Sequence, residues 1–207
     1  MKTNNWNKAE VKRAERTWGH KTPQYTLDMF DFAIKDNTSW LDLGCGFGRF
    51  LEYLDNIFPD PDYIGYDSSA DMVERVQERL RAYAPRIFKH DITTPINNPQ
   101  MSVICSAVLI HITLEDQDKV LKNIKEINPK SITFDINSPS EKWLLKGEHF
   151  ERFVKGTESS FRMTWQSHYV MTRKVLALFN NYDLTTKFYD VQTNRHKVVY
   201  MLKRKNK

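Results

Sequence analysis

Long apolar runs are absent from this sequence of 207 residues. No stretch approaches the roughly 20 consecutive apolar residues that a membrane-spanning helix needs. Residues 1–5 are polar and lack the apolar segment of a secretory signal peptide. These absences predict a soluble, cytoplasmic protein with no membrane partner.

Cysteine is scarce as well. The two cysteines, Cys45 and Cys105, have neither the C-x-x-C spacing nor the neighbouring histidines of a metal site. We therefore expect no metal, and both residues are predicted to be small buried side chains in a reducing compartment. Internal repeats and low-complexity tracts, which would indicate further domains, are missing.

The length and composition fit one domain. A chain of 207 residues with 40% hydrophobic residues can bury a core of ordinary size, so residues 1–207 are predicted to form a single domain. The net charge of +5 is moderate, and part of it lies in the basic residues 203–207. Such a charge permits binding of nucleic acid or of an anionic substrate without requiring either.

Glycine is concentrated at one place in the chain. Gly44, Gly46 and Gly48 follow an apolar segment typical of a β-strand, residues 40–43, and precede apolar residues at helical spacing. The pattern predicts a strand, a tight turn and a helix. Glycine permits a positive φ and lets backbone amides approach a ligand, and the start of a helix favours an anionic group. The turn is therefore predicted to hold a small, partly anionic ligand.

Two classes of cofactor are bound by turns of this type. The dinucleotide fingerprint G-x-G-x-x-G has its third glycine where this chain has Arg49. The spacing here is G-x-G-x-G, preceded by Leu41-Asp42-Leu43, and it resembles motif I of the class I S-adenosylmethionine-dependent methyltransferases. The resemblance implies that Asp42 and the three glycines bind the methionine part of S-adenosylmethionine. For the glycines alone, another nucleotide-binding fold is the alternative.

A second short strand, residues 63–66, ends in Asp67 about 20 residues beyond the glycines. At this separation the acid of a Rossmann unit meets the ribose hydroxyls. Ser68 and Asp71 have capping-box spacing and predict the start of a helix, with Met72 on its apolar face. We predict that Asp67 binds ribose, that Ser68 lies in the cofactor site, and that Met72 either borders the adenine or packs in the core.

A third predicted strand, residues 87–92, ends in Asp91 and Ile92 before a turn. In the resembled family an acid at this place commonly accepts a hydrogen bond from the adenine amino group. The resemblance thus implies that Asp91 and Ile92 recognise the adenine. The three elements in this order extend the resemblance over about residues 40–137.

The next strand, residues 101–106, is a nearly continuous apolar run of the kind that is buried on both faces of a parallel sheet. Ligands bind at the carboxyl ends of such strands, so Ser106 is predicted to lie at the cofactor. The following residues resemble the S-x-V-L-H-H segment of small-molecule methyltransferases, with Ile110 in place of the first histidine. His111 is therefore predicted to lie on the acceptor side and to act as a general base. The alternative is that His111 caps the helix that begins at Thr113.

Two motifs that would indicate chemistry on nucleic-acid bases are missing after this strand. Enzymes that methylate exocyclic amino groups of bases typically have (Asn/Asp/Ser)-Pro-Pro-(Tyr/Phe) here, and base C5 enzymes use a Pro-Cys nucleophile. This chain has Ser106-Ala107-Val108-Leu109 instead. These two chemistries are therefore disfavoured.

The N-terminal region supplies two acceptor candidates. Class I methyltransferases often begin with helices that close over the cofactor and one side of the acceptor. The resemblance therefore implies that residues 1–37 form a helical lid, with Trp18 and Tyr25 as substrate residues. Core packing is the alternative for each of these two side chains.

An aromatic segment supplies two more candidates. In the resembled fold an insertion after the fifth strand commonly covers the substrate, and residues 138–168 are assigned this place, with Trp143 as a wall of the acceptor site. A short helix is predicted to begin at Ser138 and Pro139. Tyr169 follows the insertion and is predicted to face the acceptor. The alternative is that these rings close the edge of the sheet.

The resemblance implies an α/β fold with a Rossmann-like, seven-stranded mixed sheet, helices on both faces and the last strand antiparallel. A predicted C-terminal hairpin, residues 183–192 and 197–202, agrees with that last strand. The function implied is transfer of a methyl group from S-adenosylmethionine to an oxygen, nitrogen or sulfur of a small-molecule acceptor. The alternatives are a methyltransferase of RNA or protein, and a non-catalytic subunit that binds S-adenosylmethionine. Nucleic acid is permitted as a partner but is not favoured.

Overall fold

A mixed β-sheet with helices on both faces is the centre of the computed structural model, which describes residues 6–18, 22–99, 102–139, 149–155, 160–192 and 195–206. Within these residues nine strands belong to one sheet. The strands are β1 (Ser39–Leu43), β2 (Asp62–Asp67), β3 (Ile87–Lys89), β4 (Ser102–Cys105), β5 (Ser131–Pro139), β6 (His149–Lys155), β7 (Ser160–Gln166), β8 (Tyr182–Gln192) and β9 (Arg195–Arg204).

Six α-helices lie in the described ranges, and none of them is long and apolar enough to span a membrane. They are α1 (Lys8–Trp18), α2 (Gln24–Ile34), α3 (Arg49–Asp55), α4 (Ala70–Arg79), α5 (Leu114–Ile127) and α6 (His168–Leu178). Two 3-10 turns, Arg81–Arg86 and Leu109–His111, precede β3 and α5.

The main part of the sheet has the strand order β3–β2–β1–β4–β5–β9–β8. Strands β1 to β5 run parallel to their neighbours among themselves, whereas β9 runs antiparallel to both β5 and β8. This confirms the predicted mixed sheet with an antiparallel last strand. The chain reverses its direction of travel across the sheet between β1 and β4, and ligands of open α/β sheets bind outside the carboxyl ends beside such a reversal.

Two further strands extend the seven-stranded set that the sequence predicts. β6 and β7 form an antiparallel hairpin, which joins the sheet through a single parallel pairing of Asn137 in β5 with Trp165 in β7. The last residue of β4, Cys105, pairs with Phe134, so β5 continues several residues beyond β4. The hairpin therefore occupies the carboxyl end of the sheet above β4.

The prediction that a short helix begins at Ser138 and Pro139 is wrong. Ser138 and Pro139 continue β5 instead, opposite His196 and Arg195 of β9. The long antiparallel strand β9 pairs with β5 along its whole length. This pairing overrides the local signal for a helix start. Residues 140–148, where the rest of that helix is predicted, lie outside the described ranges.

Apolar side chains cover both faces of the sheet. One face packs against α5 and α6, and the other packs against α2, α3 and α4. All five residues of β1 are buried because helices cover that strand on both sides. Representative core residues of the helices are Val120, Leu121 and Met171 on the first face, and Met29, Phe30, Leu51 and Val76 on the second.

Helix caps agree with the sequence signals to within one residue. Thr113 caps α5, since its hydroxyl oxygen accepts from the Asp116 amide at 3.1 Å. The cap of α4 is Ser69 and not the predicted Ser68, because the Ser69 hydroxyl oxygen accepts from the Met72 amide at 3.2 Å.

Candidate functional site

The glycine turn connects β1 to α3 at the carboxyl edge of the sheet. All three of its glycines have positive φ, at 78°, 54° and 87°. A β-carbon on Gly44 would lie 2.3 Å from Val108 Cγ2, and one on Gly48 would lie 2.4 Å from Val76 Cγ2. A β-carbon on Gly46 would meet no atom within 4 Å. Packing therefore requires glycine at two positions, whereas Gly46 presents its bare backbone to open space where a ligand can approach.

Asp67, the last residue of β2, holds this turn in place. One carboxylate oxygen accepts from the Gly46 amide at 2.9 Å, and the other accepts from the Ser69 amide at 2.8 Å. Burial raises the pKa of Asp67, and these two backbone donors oppose that rise. The amides of Gly44 and Cys45 also donate to the carbonyl of Tyr66, at 2.7 and 2.9 Å. The ends of β1 and β2 thus form one preassembled unit with a carboxylate inside it.

Asp42 lies beneath the turn, in β1, and is only 4% exposed. Its carboxylate accepts from the Tyr63 hydroxyl at 3.0 Å. Burial raises the pKa of Asp42 to about 7; the Tyr63 hydrogen bond opposes this rise and the charge of Asp67 adds to it. Asp42 is therefore a buried acid that links β1 to β2 just before the turn.

The end of β4 lies across the crevice from the turn. The Ser106 hydroxyl is buried and has no hydrogen-bond partner in the described part of the chain. The next residue, Ala107, has a positive φ of 58°, and Val108 packs against Gly44. Three groups line the edge where the strand order reverses. They are the bare backbone of Gly46, the Asp67 carboxylate at the end of β2 and the unsatisfied Ser106 hydroxyl after β4. This donor and acceptor set fits a nucleoside with an amino-acid tail.

Comparison with known proteins decides between the cofactor classes. Residues 41–127 match a family model described as a methyltransferase domain. This chain has the fold of the class I S-adenosylmethionine-dependent methyltransferases, and its residues 41–127 carry the methyltransferase domain signature. The match and the fold confirm the family, the enzyme class and the cofactor predicted from the sequence. No curated protein matches the sequence.

Solved structures show the same fold over nearly the whole chain. An S-adenosylmethionine-dependent methyltransferase from Clostridium acetobutylicum ATCC 824 is 18% identical, with a TM-score of 0.63 and coverage of 96% of this chain and 99% of that one. Magnesium protoporphyrin IX methyltransferase from Synechocystis PCC 6803, with bound S-adenosylhomocysteine, is 17% identical, with a TM-score of 0.67 and coverage of 95% and 94%. The glycopeptide N-methyltransferase MtfA is 10% identical, with a TM-score of 0.64 and coverage of 94% and 97%.

The remaining residues predicted to bind the cofactor of this methyltransferase lie on the β2 and β3 side of the crevice. Asp91 is exposed, and one of its oxygens accepts from the Thr93 amide at 3.0 Å. Ile92 is buried in the core, and Ser68 is exposed beside Asp67. Met72 is buried against α1, among Val11, Ala14 and Phe47.

Helix α1 lies across the glycine turn and the start of α4. Its Val11 and Ala14 pack on Phe47, which lies in the turn, and on Met72. Glu15 forms ion pairs with Arg75 and Arg79 of α4, at 2.9 and 3.3 Å. Arg79 also donates to the carbonyl of Phe47 at 2.6 Å. Apolar packing and charge pairing therefore both hold α1 against the glycine turn and α4.

His111 follows β4 and is partly buried. Its Nδ1 lies 3.0 Å from the carbonyl oxygen of Arg162 in β7, and a carbonyl only accepts, so Nδ1 carries the proton and Nε2 carries the lone pair. The ring of Trp6 packs edge-on against it, at 5.6 Å between centroids. Burial lowers the pKa of His111 to about 4, so the ring is neutral at physiological pH.

The aromatic substrate candidates are spread over the site and beyond it. Tyr25 lies in the first turn of α2, with the Lys197 ammonium 5.4 Å from its ring centre, and burial together with the Asp135 charge raises its pKa. Tyr169 is 58% exposed and packs beside His168, whose ring also contacts Phe188 of β8. Trp143 and the side chain of Trp18 lie outside the described ranges.

Several charged residues near the site are not among the residues that the sequence patterns identify. Arg49 is partly buried at the start of α3, and the charges of Tyr25, Asp135 and Asp42 oppose the lowering of its pKa by desolvation. Asp135 and Lys197 form a buried ion pair. The available signal is a charge within an otherwise apolar strand, as in the segment ITFDI of β5.

We expect Asp42→Asn to raise the stability of the protein at pH 8. The pKa of Asp42 is about 7 in the folded protein, whereas an aspartate in an unfolded chain has a pKa of about 4. The folded protein therefore holds a proton that the unfolded chain releases, so the wild type loses stability as the pH rises from about 4 to about 7. Asparagine does not titrate and can still accept from Tyr63.

The measurement is the free energy of unfolding of both proteins at pH 5 and at pH 8. The advantage of Asp42→Asn over the wild type should be greater at pH 8 by roughly 1–3 kcal/mol. An advantage that is the same at both pH values would show that Asp42 does not titrate in this window.

Proposed function

We propose that this methyltransferase transfers the methyl group of S-adenosylmethionine to an oxygen, nitrogen or sulfur atom of a small organic acceptor. The observation that carries the proposal is that His111, at the carboxyl end of β4, is covered on two sides. Trp6 covers the ring from one side and the β7 backbone at Arg162 covers it from another. A side chain covered in this way is reached more readily by a small molecule than by a macromolecular surface.

The cofactor residues are proposed from the same edge of the sheet. The turn of Gly44, Gly46 and Gly48, supported by Asp42, takes the methionine part, and Asp67 takes the ribose hydroxyls with Ser68 beside it. Adenine lies against Asp91, Ile92 and Met72, and the Ser106 hydroxyl completes the site at β4. Bound there, S-adenosylmethionine supplies an electrophilic methyl group. The work left to the chain is alignment and exclusion of water.

The acceptor side is proposed to be formed by three parts of the chain. These are the N-terminal region, residues 1–37, the insertion, residues 138–168, and His111. Tyr25, Trp18, Trp143 and Tyr169 are the aromatic candidates within or next to these segments. Two of the similar structures are named for methyl transfer to magnesium protoporphyrin IX and to a glycopeptide, which supports an organic acceptor here.

His111 is proposed to accept a hydrogen bond from the acceptor through Nε2 and to receive its proton. Because the Arg162 carbonyl fixes Nδ1 as the donor, Nε2 presents its lone pair without a change of tautomer. A pKa of about 4 makes His111 a weak base that is always in its basic form near neutral pH. Its contribution is therefore mainly orientation, and proton transfer follows as the acceptor becomes more acidic on methylation.

We expect His111→Ala to lower turnover by about 100-fold, a typical contribution of a positioned acid or base. Affinity for S-adenosylhomocysteine should stay within about threefold, since His111 faces the acceptor. Release of S-adenosylhomocysteine from a panel of hydroxyl, amine and thiol acceptors measures turnover. Titration of His111 should leave the kcat of the wild type constant from pH 6 to pH 9. It should lower kcat only as the pH approaches about 4.

His196→Ala is the matched control, because His196 is a partly exposed histidine of β9 paired with Asp190. Full turnover by His111→Ala would reject the role of His111. Methyl transfer to RNA but to none of the small acceptors, with retention on RNA that weakens steeply as salt rises, would reject a small-molecule acceptor.

A further inference from the structure

A buried ion pair joins β5 to β9, and its Asp135 lies one residue beyond the position that pairs with the end of β4. Asp135 is 0% exposed and Lys197 is 5% exposed, and the Lys197 ammonium donates to one oxygen of the Asp135 carboxylate. Removing both charges from water is costly, and replacing such a pair by apolar side chains is often neutral or stabilising. Stability alone therefore does not explain the presence of this ion pair.

The second oxygen of Asp135 holds a strained residue. It accepts from the Ala107 amide at 2.5 Å, and Ala107 has a φ of 58°. This left-handed conformation is uncommon for a residue with a β-carbon, and it persists where surrounding contacts enforce it. The register explains the contact: Cys105 pairs with Phe134, so Asp135 is the next residue of β5 beside the turn that leaves β4.

The same turn touches the glycine turn and His111. Val108 packs so closely on Gly44 that a β-carbon there would lie 2.3 Å from Val108 Cγ2. The His111 amide donates to the Val108 carbonyl at 2.8 Å, and the buried hydroxyl of Ser106 lies one residue before Ala107. The position of residues 106–108 therefore affects both the proposed cofactor site and the proposed acceptor site.

We propose that Asp135, anchored by Lys197, is a positioning residue that holds the turn at residues 106–108 against Gly44 and thereby shapes the cofactor site. Lys197 fixes the carboxylate, one oxygen of the carboxylate fixes the Ala107 amide, and the turn then presses Val108 onto the glycine turn. Neither side chain needs to touch the cofactor. The inference rests on the proposed cofactor site.

Three multiple variants test this, with S-adenosylhomocysteine affinity by calorimetry and thermal unfolding as readouts. The variant D135N/K197M removes both charges but keeps a side-chain oxygen for the Ala107 amide, and its affinity should stay within about threefold of the wild type. The variant D135L/K197M removes that oxygen too, and its affinity should fall by at least about tenfold. Adding A107G to D135L/K197M should restore most of the affinity, because glycine adopts a positive φ without strain.

A purely structural role for the pair would lower the unfolding temperature without this pattern of affinities. The proposal is overturned if folded D135L/K197M binds as tightly as D135N/K197M, or if A107G fails to restore its affinity. If D135L/K197M does not fold, D135N/K197M is compared with D135N/K197M/A107G. The two variants should then bind S-adenosylhomocysteine equally well. A marked difference between their affinities would overturn the proposal. A folded wild type that binds no S-adenosylhomocysteine would instead refute the proposed function.

Discussion

Asp67→Ala is expected to weaken binding of S-adenosylmethionine and S-adenosylhomocysteine by at least about 100-fold, because two hydrogen bonds to a charged group contribute roughly 1.5–3 kcal/mol each. The carboxylate lies at the carboxyl end of β2, bonded to the Gly46 and Ser69 amides. Its loss removes the proposed ribose acceptor and also frees the turn that Gly46 belongs to. Calorimetric titration of the purified variant measures the affinity.

Asp67→Asn is the matched control. Asparagine keeps one oxygen that can accept from a backbone amide, so the turn is better preserved than in Asp67→Ala, while one of the two acceptors for ribose is lost. We expect an affinity between those of the wild type and of Asp67→Ala. A folded Asp67→Ala that binds within about threefold of the wild type would remove the ribose assignment.

Alanine at Gly44 and at Gly46 should separate the two uses of glycine in the turn. Gly44→Ala is expected to destabilise the protein by roughly 2–4 kcal/mol, because the new methyl group meets Val108 in a tightly packed place and φ is positive. Gly46→Ala meets no atom, so only the positive φ opposes it, at about 1–2 kcal/mol.

The affinities should show a separate effect. Gly46→Ala should weaken S-adenosylhomocysteine binding by about tenfold or more, because its methyl group occupies the space through which the backbone meets a ligand. Denaturant unfolding gives the stabilities, and calorimetry gives the affinity. Gly46→Ala with wild-type affinity would show that no ligand approaches this face, and a larger stability loss at Gly46 than at Gly44 would contradict the packing described.

Local patterns in the sequence predict the strand, the glycine turn and the helix well, because these elements are local. The spacing of Gly44, Gly46 and Gly48 after an apolar strand specifies a turn, and Asp67 follows at the distance that one strand–helix–strand unit requires. The parallel order of β1 to β5 and the antiparallel β9 follow from the same family pattern. The positive φ of all three glycines agrees with the turn that was predicted.

The features that local patterns miss depend on pairing between distant residues. Asp135 and Lys197 are 62 positions apart, and only the register of β5 against β9 brings them together. Ser138 and Pro139 have the signals of a helix start, but the partner strand makes them part of β5. The pairing of β7 with Asn137 likewise cannot be predicted without knowing how far β5 extends beyond β4. None of these distances is encoded within a window of a few residues.

The placement of α1 has a kinetic consequence. If the adenosyl group binds beside Met72 as proposed, we expect α1 to move before the group can leave, because Val11 and Ala14 of that helix pack against Met72. The Glu15 pairs with Arg75 and Arg79 are partly open to water, so dissolved ions weaken them. We therefore expect release of S-adenosylhomocysteine to become faster as the ionic strength rises, and turnover to rise with it if this release limits the rate.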